Sequence, residues 1–361
     1  MAEFQKADGA NYAPVGRGIK VVQPGEFVFA AAALEHGHIY GMCNGLLEAG
    51  ATLKYVWDPD PKKVEAFVKK FPQAKPVGRI EDILEDKEIR LVAAAGIPNE
   101  RCALGIRVMD AGKDYFVDKT PMTTLAQVEA ARAACVRTGH RYFVYFSERL
   151  HNESSVLAGN LVMAGEIGDV IQVIGTGPHR HGASRPDWFY RHEQYGGLLC
   201  DIGSHQIEQF LYYTKNDNAV VLASKVGNYT YPQYPEFEDF GDATLLGDNG
   251  ASDYFRVDWL TPDGLRAWGD GRLFLLGTKG YMELRKYVNV AQPESRGDQI
   301  FLVNAHEEKQ IDAHGTGFPF FGELILDSLN RTENAMPQAH IFKAAELCIR
   351  CQLQAIHITH A

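Results

Sequence analysis

An aspartate and a histidine four residues apart, Asp201 and His205, are the residues best suited to chemistry in this 361-residue chain. They follow Gly196 and Gly197, and apolar residues recur behind them at helical spacing, which predicts a helix with Asp201 as its N-cap. On such a helix their Cβ atoms lie roughly 5–6 Å apart. A carboxylate beside an imidazole can hold a hydroxyl group and take its proton near neutral pH. A capping aspartate followed by an incidental surface histidine has the same spacing. Other segments of the chain must therefore decide between a catalytic pair and this structural interpretation.

Length and charge limit the class of protein. A chain of this length exceeds one ordinary core, so we expect two domains. The net charge of −10 and the hydrophobic fraction of 45% favour a globular protein whose partners are neither nucleic acid nor an anionic membrane. The start of the chain has no apolar run, and no stretch of about 18 apolar residues follows, so we expect a cytoplasmic protein.

The six cysteines are scattered along the chain. Cys348 and Cys351 form a C-x-x-C pair, but they lie in a predicted helix and no second pair completes a zinc site. We therefore expect buried thiols and no bound metal.

After an irregular extension over residues 1–25, residues 26–150 alternate between strands and helices. The first strand is a continuous apolar run, as in a strand buried on both faces of a parallel sheet. This alternation predicts βαβ units and an α/β domain. The predicted strands cover 27–34, 52–57, 91–95, 115–117 and 141–146, and the predicted helices cover 38–49, 61–71, 101–111 and 125–138.

Residues 151–361 have a different rhythm, in which strands dominate. Turn residues at 248–250, 262–264 and 278–280 predict hairpins between them. The segment therefore predicts an open, mostly antiparallel sheet with helices on one face. The predicted strands are 170–174, 219–225, 243–246, 254–259, 273–276, 281–284 and 300–303, and the predicted helices are 154–164, the Asp201 segment, 321–330 and 340–357.

The turn after the first strand could hold a dinucleotide. A flexible turn at a helix start lets backbone N–H groups meet a pyrophosphate, and an acid about 20 residues on binds the adenine ribose. Asp58 stands 21 residues after Gly37, and its charge favours NAD over NADP. However, Ala33, Glu35 and His38 stand where the three glycines of the usual motif would be, and Glu35 would have to point away, for example as a helix cap. An α/β domain with an ordinary turn is the alternative.

Two further segments follow predicted strands. Pro98 would end a strand, and Asn99 could cap the next helix or contact a ribose. Lys119 stands at the carboxyl end of a buried strand, where open α/β sheets bind ligands. Its ammonium could bond a hydroxyl group and stabilise a developing alkoxide, although a solvated surface lysine is the alternative.

The loop over residues 177–190 is rich in hydrogen-bond donors and aromatic rings, which suit a sugar. Arg149 and Asn152, just past the strand at 141–146, are weaker candidates. A polar surface loop with Trp188 and Phe189 in the core is the alternative. The loop residues that could bond hydroxyl groups are His179, Arg180, His181 and Arg185.

Together these segments resemble the glucose–fructose oxidoreductase / inositol dehydrogenase / MocA-like family of nicotinamide-dependent dehydrogenases. The chain departs from the family in its glycine-poor turn and in Thr120, where proline is usual. The resemblance rests on Asp58, Pro98-Asn99, Ala111-Gly-Lys113 leading to Asp118-Lys119, Gly165-Glu-Ile-Gly168, Gly196-Gly197 with Asp201 and His205, and Arg331–Gln338.

The resemblance implies a Rossmann domain over 26–150 and a larger α/β domain over 151–361, whose open sheet forms homo-oligomers (dimers, tetramers or larger). The final helix is a segment that could pack back on the first domain. The implied catalytic residues are Lys119, Asp201 and His205. The expected cofactor contacts are His36, Gly37, His38, Ile39, Asp58, Pro98, Asn99, Lys119 and Trp188, and the expected substrate contacts are Arg149, Asn152, His179, Arg180, His181 and His205.

We therefore expect an NAD-dependent oxidoreductase that oxidises a secondary hydroxyl of a sugar, a glycoside (at C3, for example) or a cyclic polyol such as inositol, or reduces the matching ketone. His205 would take the hydroxyl proton, Lys119 would stabilise the oxygen, and Asp201 would orient the substrate or His205. Three alternatives stay open. They are a glycosidase or lyase that recycles NAD, a nucleotide sensor without catalysis, and a metal-dependent sugar enzyme that uses His179, His181, Asp201 and His205.

Overall fold

The computed structural model describes residues 9–16, 18–182, 185–292, 294 and 296–358. It divides the chain into two compact units. The first unit contains residues 10–145 and 318–342, and the second contains Gly9, 146–317 and the described residues from 343 onward. This grouping differs from a simple division at residue 150, because residues 318–342 belong with the first unit.

A six-stranded sheet forms the centre of the first unit. Its strands are β1 (Val28–Ala32), β2 (Thr52–Trp57), β3 (Lys75–Pro76), β4 (Ile89–Ala94), β5 (Asp114–Asp118) and β6 (Tyr142–Tyr145). Neighbouring strands run parallel in the order β3-β2-β1-β4-β5-β6, which confirms the predicted parallel α/β sheet. The strand order reverses between β1 and β4, and the carboxyl ends of strands at such a point form the ligand crevice of doubly wound sheets.

Helices connect these strands. They are α1 (His38–Glu48), α2 (Pro61–Lys70), α3 (Glu81–Leu84), α4 (Pro98–Asp110) and α5 (Leu125–Thr138). The Thr124 side chain caps α5 in a capping box with Gln127, and Gly139 ends the helix at a φ of 70°. The predicted helix over 101–111 begins three residues too late, because Pro98 begins α4 instead of ending the strand before it.

A nine-stranded sheet forms the second unit. Its order is β14-β13-β12-β11-β7-β10-β9-β8-β15, and only the pairs β7–β10 and β8–β15 are parallel among the described pairings. This confirms the predicted mostly antiparallel sheet, although β14 and β15 were not predicted. The strands are β7 (Val170–Pro178), β8 (Ala219–Gly227), β9 (Phe240–Gly247), β10 (Ser252–Asp258), β11 (Arg272–Gly277), β12 (Gly280–Arg285), β13 (Gln299–Asn304), β14 (Glu308–Asp312) and β15 (Ile356–Ile358).

Two of the three predicted hairpins are confirmed. The turn at 248–250 joins β9 to β10, and Thr278-Lys279 joins β11 to β12. The hairpin predicted at 262–264 is wrong, because β7 lies between β10 and β11 in the sheet. The turn signal is local, whereas the strand that fills this gap comes from far earlier in the chain.

The remaining helices are α6 (Ser147–Leu150), α7 (Glu153–Met163), α8 (His192–Tyr195), α9 (Leu198–Asp201), α10 (Gly203–Thr214), α11 (Phe320–Asn330) and α12 (Gln338–Gln354). Helix α10 packs on β7 and β10, and α7 packs on β12 and β13. None of the helices in the described parts of the chain is both long and apolar enough to cross a bilayer. Cys348 and Cys351 lie in α12 as buried free thiols, and burial raises the pKa of each.

The opposite face of the large sheet carries exposed apolar side chains. Tyr254 of β10 and Phe274 of β11 both lie beside Ile174 of β7, and all three are between 37% and 42% exposed. Leu276 and Tyr281 extend this surface onto β12 and are similarly exposed. Large contiguous apolar surfaces are characteristic of interaction sites.

The packing of α1 against α11 allows a direct test of the first unit. A Cβ at Gly45 of α1 would overlap the buried ring of Phe321 in α11. Alanine favours a helix over glycine by about 1 kcal/mol, but we expect Gly45→Ala to lower the free energy of unfolding by about 1–3 kcal/mol, the usual cost of overpacking. Urea unfolding measures it.

Gly264→Ala is the matched control, because nothing lies within 4 Å of a Cβ there. We expect this control to change stability by less than about 0.5 kcal/mol. A Gly45→Ala protein as stable as the natural one would contradict the packing described.

Candidate active site

The turn between β1 and α1 is held by backbone and carboxylate contacts. The Leu34 N–H donates to Asp58 Oδ2 at 2.6 Å, and the His36 N–H donates to the Ala95 carbonyl at 2.9 Å. Gly37 is the N-cap of α1. Ala33 has a φ of 52°, a left-handed conformation that suits glycine. Residue 33 therefore has the backbone conformation of a glycine in the usual turn, although it is an alanine.

Glu35 does not cap α1 as we had considered. Its carboxylate forms an ion pair with Lys63 of α2. The negative charge in this turn is thus partly neutralised by a lysine of the next helix, which reduces its repulsion toward an anionic ligand.

Asp58 lines a cavity of about 270 Å³ at the carboxyl ends of β1, β2 and β4. Its Oδ2 accepts from Leu34 and its Oδ1 accepts from the Asp60 N–H at 2.8 Å. Each oxygen retains a further lone pair, so the carboxylate can brace the turn and still accept from a ribose hydroxyl. The other residues around the cavity are Ala33, Glu35, Trp57, Pro59, Gly96, Ile97, Glu100, Arg101, Ala103, Leu104, Arg107 and Tyr115.

Pro98 and Asn99 lie in the first turn of α4. Ile97 is the N-cap of that helix, so Asn99 does not cap it. The Asn99 carbonyl accepts from the Gln127 side chain at 2.8 Å, while its buried Oδ1 has no hydrogen-bond partner among the described atoms. A buried acceptor without a partner is costly, which keeps Asn99 as a candidate ligand-binding residue.

Asp118, at the end of β5, is the charged centre of the first unit. Its side chain is fully buried and contacts His38 at 2.8 Å, His36 at 3.3 Å and the Arg101 guanidinium at 3.2 Å. Burial opposes its ionisation, but the charges of His38 and Arg101 outweigh burial and hold the pKa of Asp118 well below its ordinary value. Burial and the nearby His38 lower the pKa of His36 instead, so His36 is neutral at pH 7.

His36, His38 and Asp118 also form the one group in the described part of the chain whose ligand atoms could hold a metal ion. The Arg101 guanidinium already bonds to the same carboxylate, and a cation there opposes a second one. The four residues of the alternative metal site, His179, His181, Asp201 and His205, do not form such a group.

Lys119 follows Asp118 and is 4% exposed, so it is not a solvated surface lysine. The Arg101 guanidinium donates to the carbonyls of Asp118, Lys119 and Thr120, with distances of 3.2 Å to the first and 3.1 Å to the last. The Lys119–Thr120 peptide bond is cis. One buried arginine of α4 thus fixes the backbone that carries the lysine.

In the second unit, the N-cap prediction for Asp201 is wrong. Asp201 is the last residue of α9, and Ile202 precedes α10. The chain makes an earlier turn that begins after Gly197, whose φ of 90° only glycine adopts readily. His205 lies in the first turn of α10, is 1% exposed, and meets the ring of Phe146 edge-on at 6.5 Å.

The predicted sugar loop is largely packed inside the second unit. The His181 Nδ1–H donates to the Gly182 carbonyl, its Nε2 accepts from the Tyr190 hydroxyl at 3.0 Å, and its ring stacks on Tyr231. His179 and Arg180 are also buried, and the Arg180 guanidinium donates to two backbone carbonyls. His179, Arg180 and His181 are thus packed against other residues of the protein, and their contact with substrate stays a prediction.

Of the three remaining predicted contacts, Arg149 and Asn152 bond to other residues of the protein, and Trp188 is half-buried. Arg149 forms a buried ion pair with Glu208, with Nε 2.7 Å from Oε1. Asn152 caps α7, since its Oδ1 accepts from the Ser155 N–H. Trp188 is half-buried in a short 3-10 helix over Asp187–Tyr190, while the adjacent Phe189 is in the core.

Sequence reasoning missed two residues beside these candidates. Arg101 begins the predicted helix over 101–111 and Glu148 follows the predicted strand over 141–146, and neither residue was assigned a role from the sequence. A charged residue three positions after a buried strand was the available signal for Glu148. Its partner Lys286 lies 138 positions away, and no sequence signal connects the two.

Sequence comparison decides the family. Residues 31–146 match the family described as "Oxidoreductase family, NAD-binding Rossmann fold", and residues 156–283 match the "GFO/IDH/MocA C-terminal domain". A crystal structure of a protein from Erwinia carotovora atroseptica SCRI1043, described provisionally as an oxidoreductase, is 51% identical, covers 92% of this chain and all of that chain, and superposes with a TM-score of 0.90. The chain belongs to the GFO/IDH/MocA oxidoreductase family.

Two curated relatives of this GFO/IDH/MocA protein come from Bacillus subtilis strain 168. A scyllo-inositol 2-dehydrogenase (NADP(+)) is 26% identical over 51% of this chain and 53% of its own length, so the chain matches about half of that relative. A scyllo-inositol 2-dehydrogenase (NAD(+)) is 23% identical over 76% of this chain and 79% of its own. The family assignment therefore confirms the resemblance drawn from the sequence.

The conformation of Ala33 generates a test of this GFO/IDH/MocA turn. We expect Ala33→Gly to raise the free energy of unfolding by up to about 1 kcal/mol, because glycine adopts a positive φ without the usual steric cost. Ala30→Gly, in β1 where φ is not positive, should lower it by at least about 0.5 kcal/mol. Chemical denaturation measures the free energy of unfolding of both variants. An equal loss of this free energy in both would contradict a strained backbone at Ala33.

Proposed function

We propose that this GFO/IDH/MocA protein is an NAD-dependent oxidoreductase that oxidises a secondary hydroxyl of a sugar, a glycoside or a cyclic polyol such as inositol, or reduces the matching ketone. The observation that carries the proposal is the buried Lys119 at the carboxyl end of β5, fixed through three carbonyls by Arg101. Burying an ammonium is costly, so its position at a ligand-binding edge indicates a role in binding or catalysis.

The cavity beside Asp58 fits the adenosine half of a nicotinamide dinucleotide. It combines apolar walls such as Ile97 and Leu104 with the carboxylate at one side. Asp58 and Glu100 line it, and their charge disfavours a 2′-phosphate, which supports NAD. Glu35 also lines it, but its charge is paired with Lys63. The guanidinium of Arg107, also at this cavity, is 2.8 Å from Glu81 and is thus already paired. The two curated relatives differ in this preference, since one is named for NADP and the other for NAD.

Each catalytic role follows from the chemistry of the side chain. A bound nicotinamide dinucleotide would supply the acceptor for the hydride of the carbinol carbon. His205 accepts the hydroxyl proton, which an imidazole does well near neutral pH. Lys119 donates to the same oxygen and stabilises the charge that develops there. Asp201 orients the substrate or His205, and the names of the relatives support a polyol or sugar alcohol as the substrate class.

Removing either group should abolish turnover without abolishing cofactor binding. We expect Lys119→Ala and His205→Ala each to lower kcat by about 10²–10⁴-fold, the usual contribution of a positioned proton donor or acceptor. Turnover is measured as NADH formation with a panel of inositols, monosaccharides and glucosides, and the oxidised carbon is mapped in the product. NAD affinity is measured separately by calorimetry.

Exposed residues of the same types provide the controls. Lys87→Ala and His306→Ala alter side chains that are exposed, and both should keep full activity. Full activity in Lys119→Ala or His205→Ala would refute the assigned roles. Release of an aglycone without net NADH would instead identify the elimination reaction that recycles the cofactor.

We also propose that the apolar face of the large sheet associates with a second copy of this chain. Ile174, Tyr254 and Phe274 are neighbours across three strands and exposed to a degree that is costly for a solitary surface. A sheet face of this kind is self-complementary in a two-fold dimer. Sedimentation velocity gives the number of copies in the assembly.

A charge in the middle of this face should separate the copies. We expect Phe274→Asp to reduce the assembly to a smaller species, because the carboxylate would be buried without a partner. Sedimentation velocity measures the mass. Val136→Asp replaces a lone apolar residue of α5 that is 83% exposed, and it should leave the mass unchanged. A natural protein that sediments as a monomer would refute the interface.

A further inference from the structure

The short helix α9 is capped by side chains that come from outside its own segment. Its N-cap is Gly197, which has no side chain to accept from the first amides of the helix. Instead, the Leu198 N–H donates to Glu238 Oε2 at 2.7 Å, and the Leu199 N–H donates to Gln352 Oε1 at 3.0 Å. The Gln352 amide also donates to Glu238 Oε1 at 2.8 Å. We call Glu238 and Gln352 together the α9 clamp.

Both side chains of the α9 clamp are buried. Glu238 comes just before β9 and is 5% exposed, and Gln352 lies in α12 and is 6% exposed. A Cβ at Gly197 would lie 2.2 Å from the Gln352 side chain, so the glycine leaves the space that this amide occupies. His192 Nε2 is 3.9 Å from Glu238 Oε1, which is too far for a hydrogen bond. Three hydrogen bonds therefore fix the clamp at the start of α9.

The α9 clamp requires one carboxylate and one amide. A backbone N–H stands at each end of the row, so each side chain must accept at its outer end, and one of the two must donate to the other. Two glutamines would bring two NH₂ groups face to face, and two ionised glutamates would bring together two negative charges. The residue type at 238 therefore depends on the residue type at 352.

Backbone hydrogen bonds connect the clamped amides to both candidate catalytic residues of this unit. The Asp201 N–H donates to the Gly197 carbonyl at 2.9 Å, and the Ile202 N–H donates to the Leu198 carbonyl at 3.0 Å. The His205 N–H then donates to the Ile202 carbonyl at 3.1 Å. A shift of the first turn of α9 would therefore move the backbone of Asp201 and, through Ile202, that of His205.

A cap from distant segments does more than satisfy two amides. A capping side chain at position 197 would travel with the helix that it caps. The residues of the α9 clamp instead lie 40 and 153 positions from the amides that they accept from, and they belong to other packed elements. A buried carboxylate is also costly to desolvate. What this arrangement adds is a fixed place for α9 relative to β9 and α12.

We propose that Glu238 and Gln352 are positioning residues for Asp201 and His205, because they hold the start of α9 in the place that catalysis requires. The inference rests on the proposed function, in which His205 is the base and Asp201 orients it or the substrate. A misplacement of about 1 Å at a reacting group can lower a rate about 10²-fold. The α9 clamp prevents such a shift without contacting the substrate itself.

A reciprocal exchange of the two side chains tests the inference in the full-length protein. We expect Glu238→Gln to lower kcat by about 10–100-fold, because two NH₂ groups then face each other and one of the three hydrogen bonds is lost. The double variant Glu238→Gln with Gln352→Glu again pairs one carboxylate with one amide, in the reverse order. It should recover most of the natural kcat, measured as NADH formation.

Ser224→Ala is the matched control for a purely structural effect. The Ser224 hydroxyl donates to the Cys351 carbonyl at 2.7 Å, so this variant also removes a buried hydrogen bond to α12, one residue before Gln352. It should lower the melting temperature and leave kcat unchanged. If Glu238→Gln fails to fold, Gln352→Met removes the acceptor of the Leu199 amide instead, and we expect a similar decrease in kcat.

Hydrogen–deuterium exchange with mass spectrometry reports on α9 without reference to activity. Peptides that cover residues 197–205 should exchange faster in Glu238→Gln and return to the natural rate in the double variant. Unchanged exchange or unchanged kcat in a folded single variant would overturn the inference, and so would a double variant no more active than Glu238→Gln. If His205→Ala retains turnover, the proposed function fails, yet the exchange rates still show whether the α9 clamp holds this helix. The two failures are therefore distinguishable.

Discussion

The buried pairing of Arg101 with Asp118 is the interaction on which the nucleotide-binding unit depends. The guanidinium is 2% exposed and donates to the Asp118 carboxylate and to the carbonyls of residues 118–120. Asp118 in turn contacts His36 and His38 of the turn after β1. One network therefore joins the turn after β1 to the segment that carries Lys119. A change at Arg101 would leave Asp118 buried without its strongest fixed cation, which is among the most destabilising changes a core can suffer.

The glycine-poor turn shows how a familiar backbone shape can be built from unfamiliar residues. Ala33 adopts the left-handed backbone that a glycine would take, and the Asp58 carboxylate holds the next amide. Lys63 offsets the charge of Glu35. The backbone path is thus retained, and two residues that support it, Asp58 after β2 and Lys63 of α2, lie outside the turn itself. The consensus motif describes one solution to a geometric constraint that other residues also satisfy.

The sequence predicted the fold where the decisive pattern was local. Apolar runs and their spacing located β1, β2 and α5 to within a few residues, and the family resemblance is confirmed. The errors have two causes. The turn at 262–264 is not a hairpin because β7, which is distant in sequence, inserts between β10 and β11. Asp201 ends one short helix instead of starting another because the chain already turns at Gly197. Of the candidate site, Lys119 and His205 came from the sequence, but the partners of Glu148 and Arg101 lie in other segments, and no spacing rule finds them.

The proposed reaction requires transfer of the carbinol hydrogen to the cofactor. This transfer is tested most directly by a substrate with deuterium on the carbon that the product analysis identifies, incubated with the natural enzyme and NAD. We predict that mass spectrometry finds the deuterium on the reduced nicotinamide ring. Conversion of that substrate with the deuterium found only in solvent water, and none on the cofactor, would contradict it.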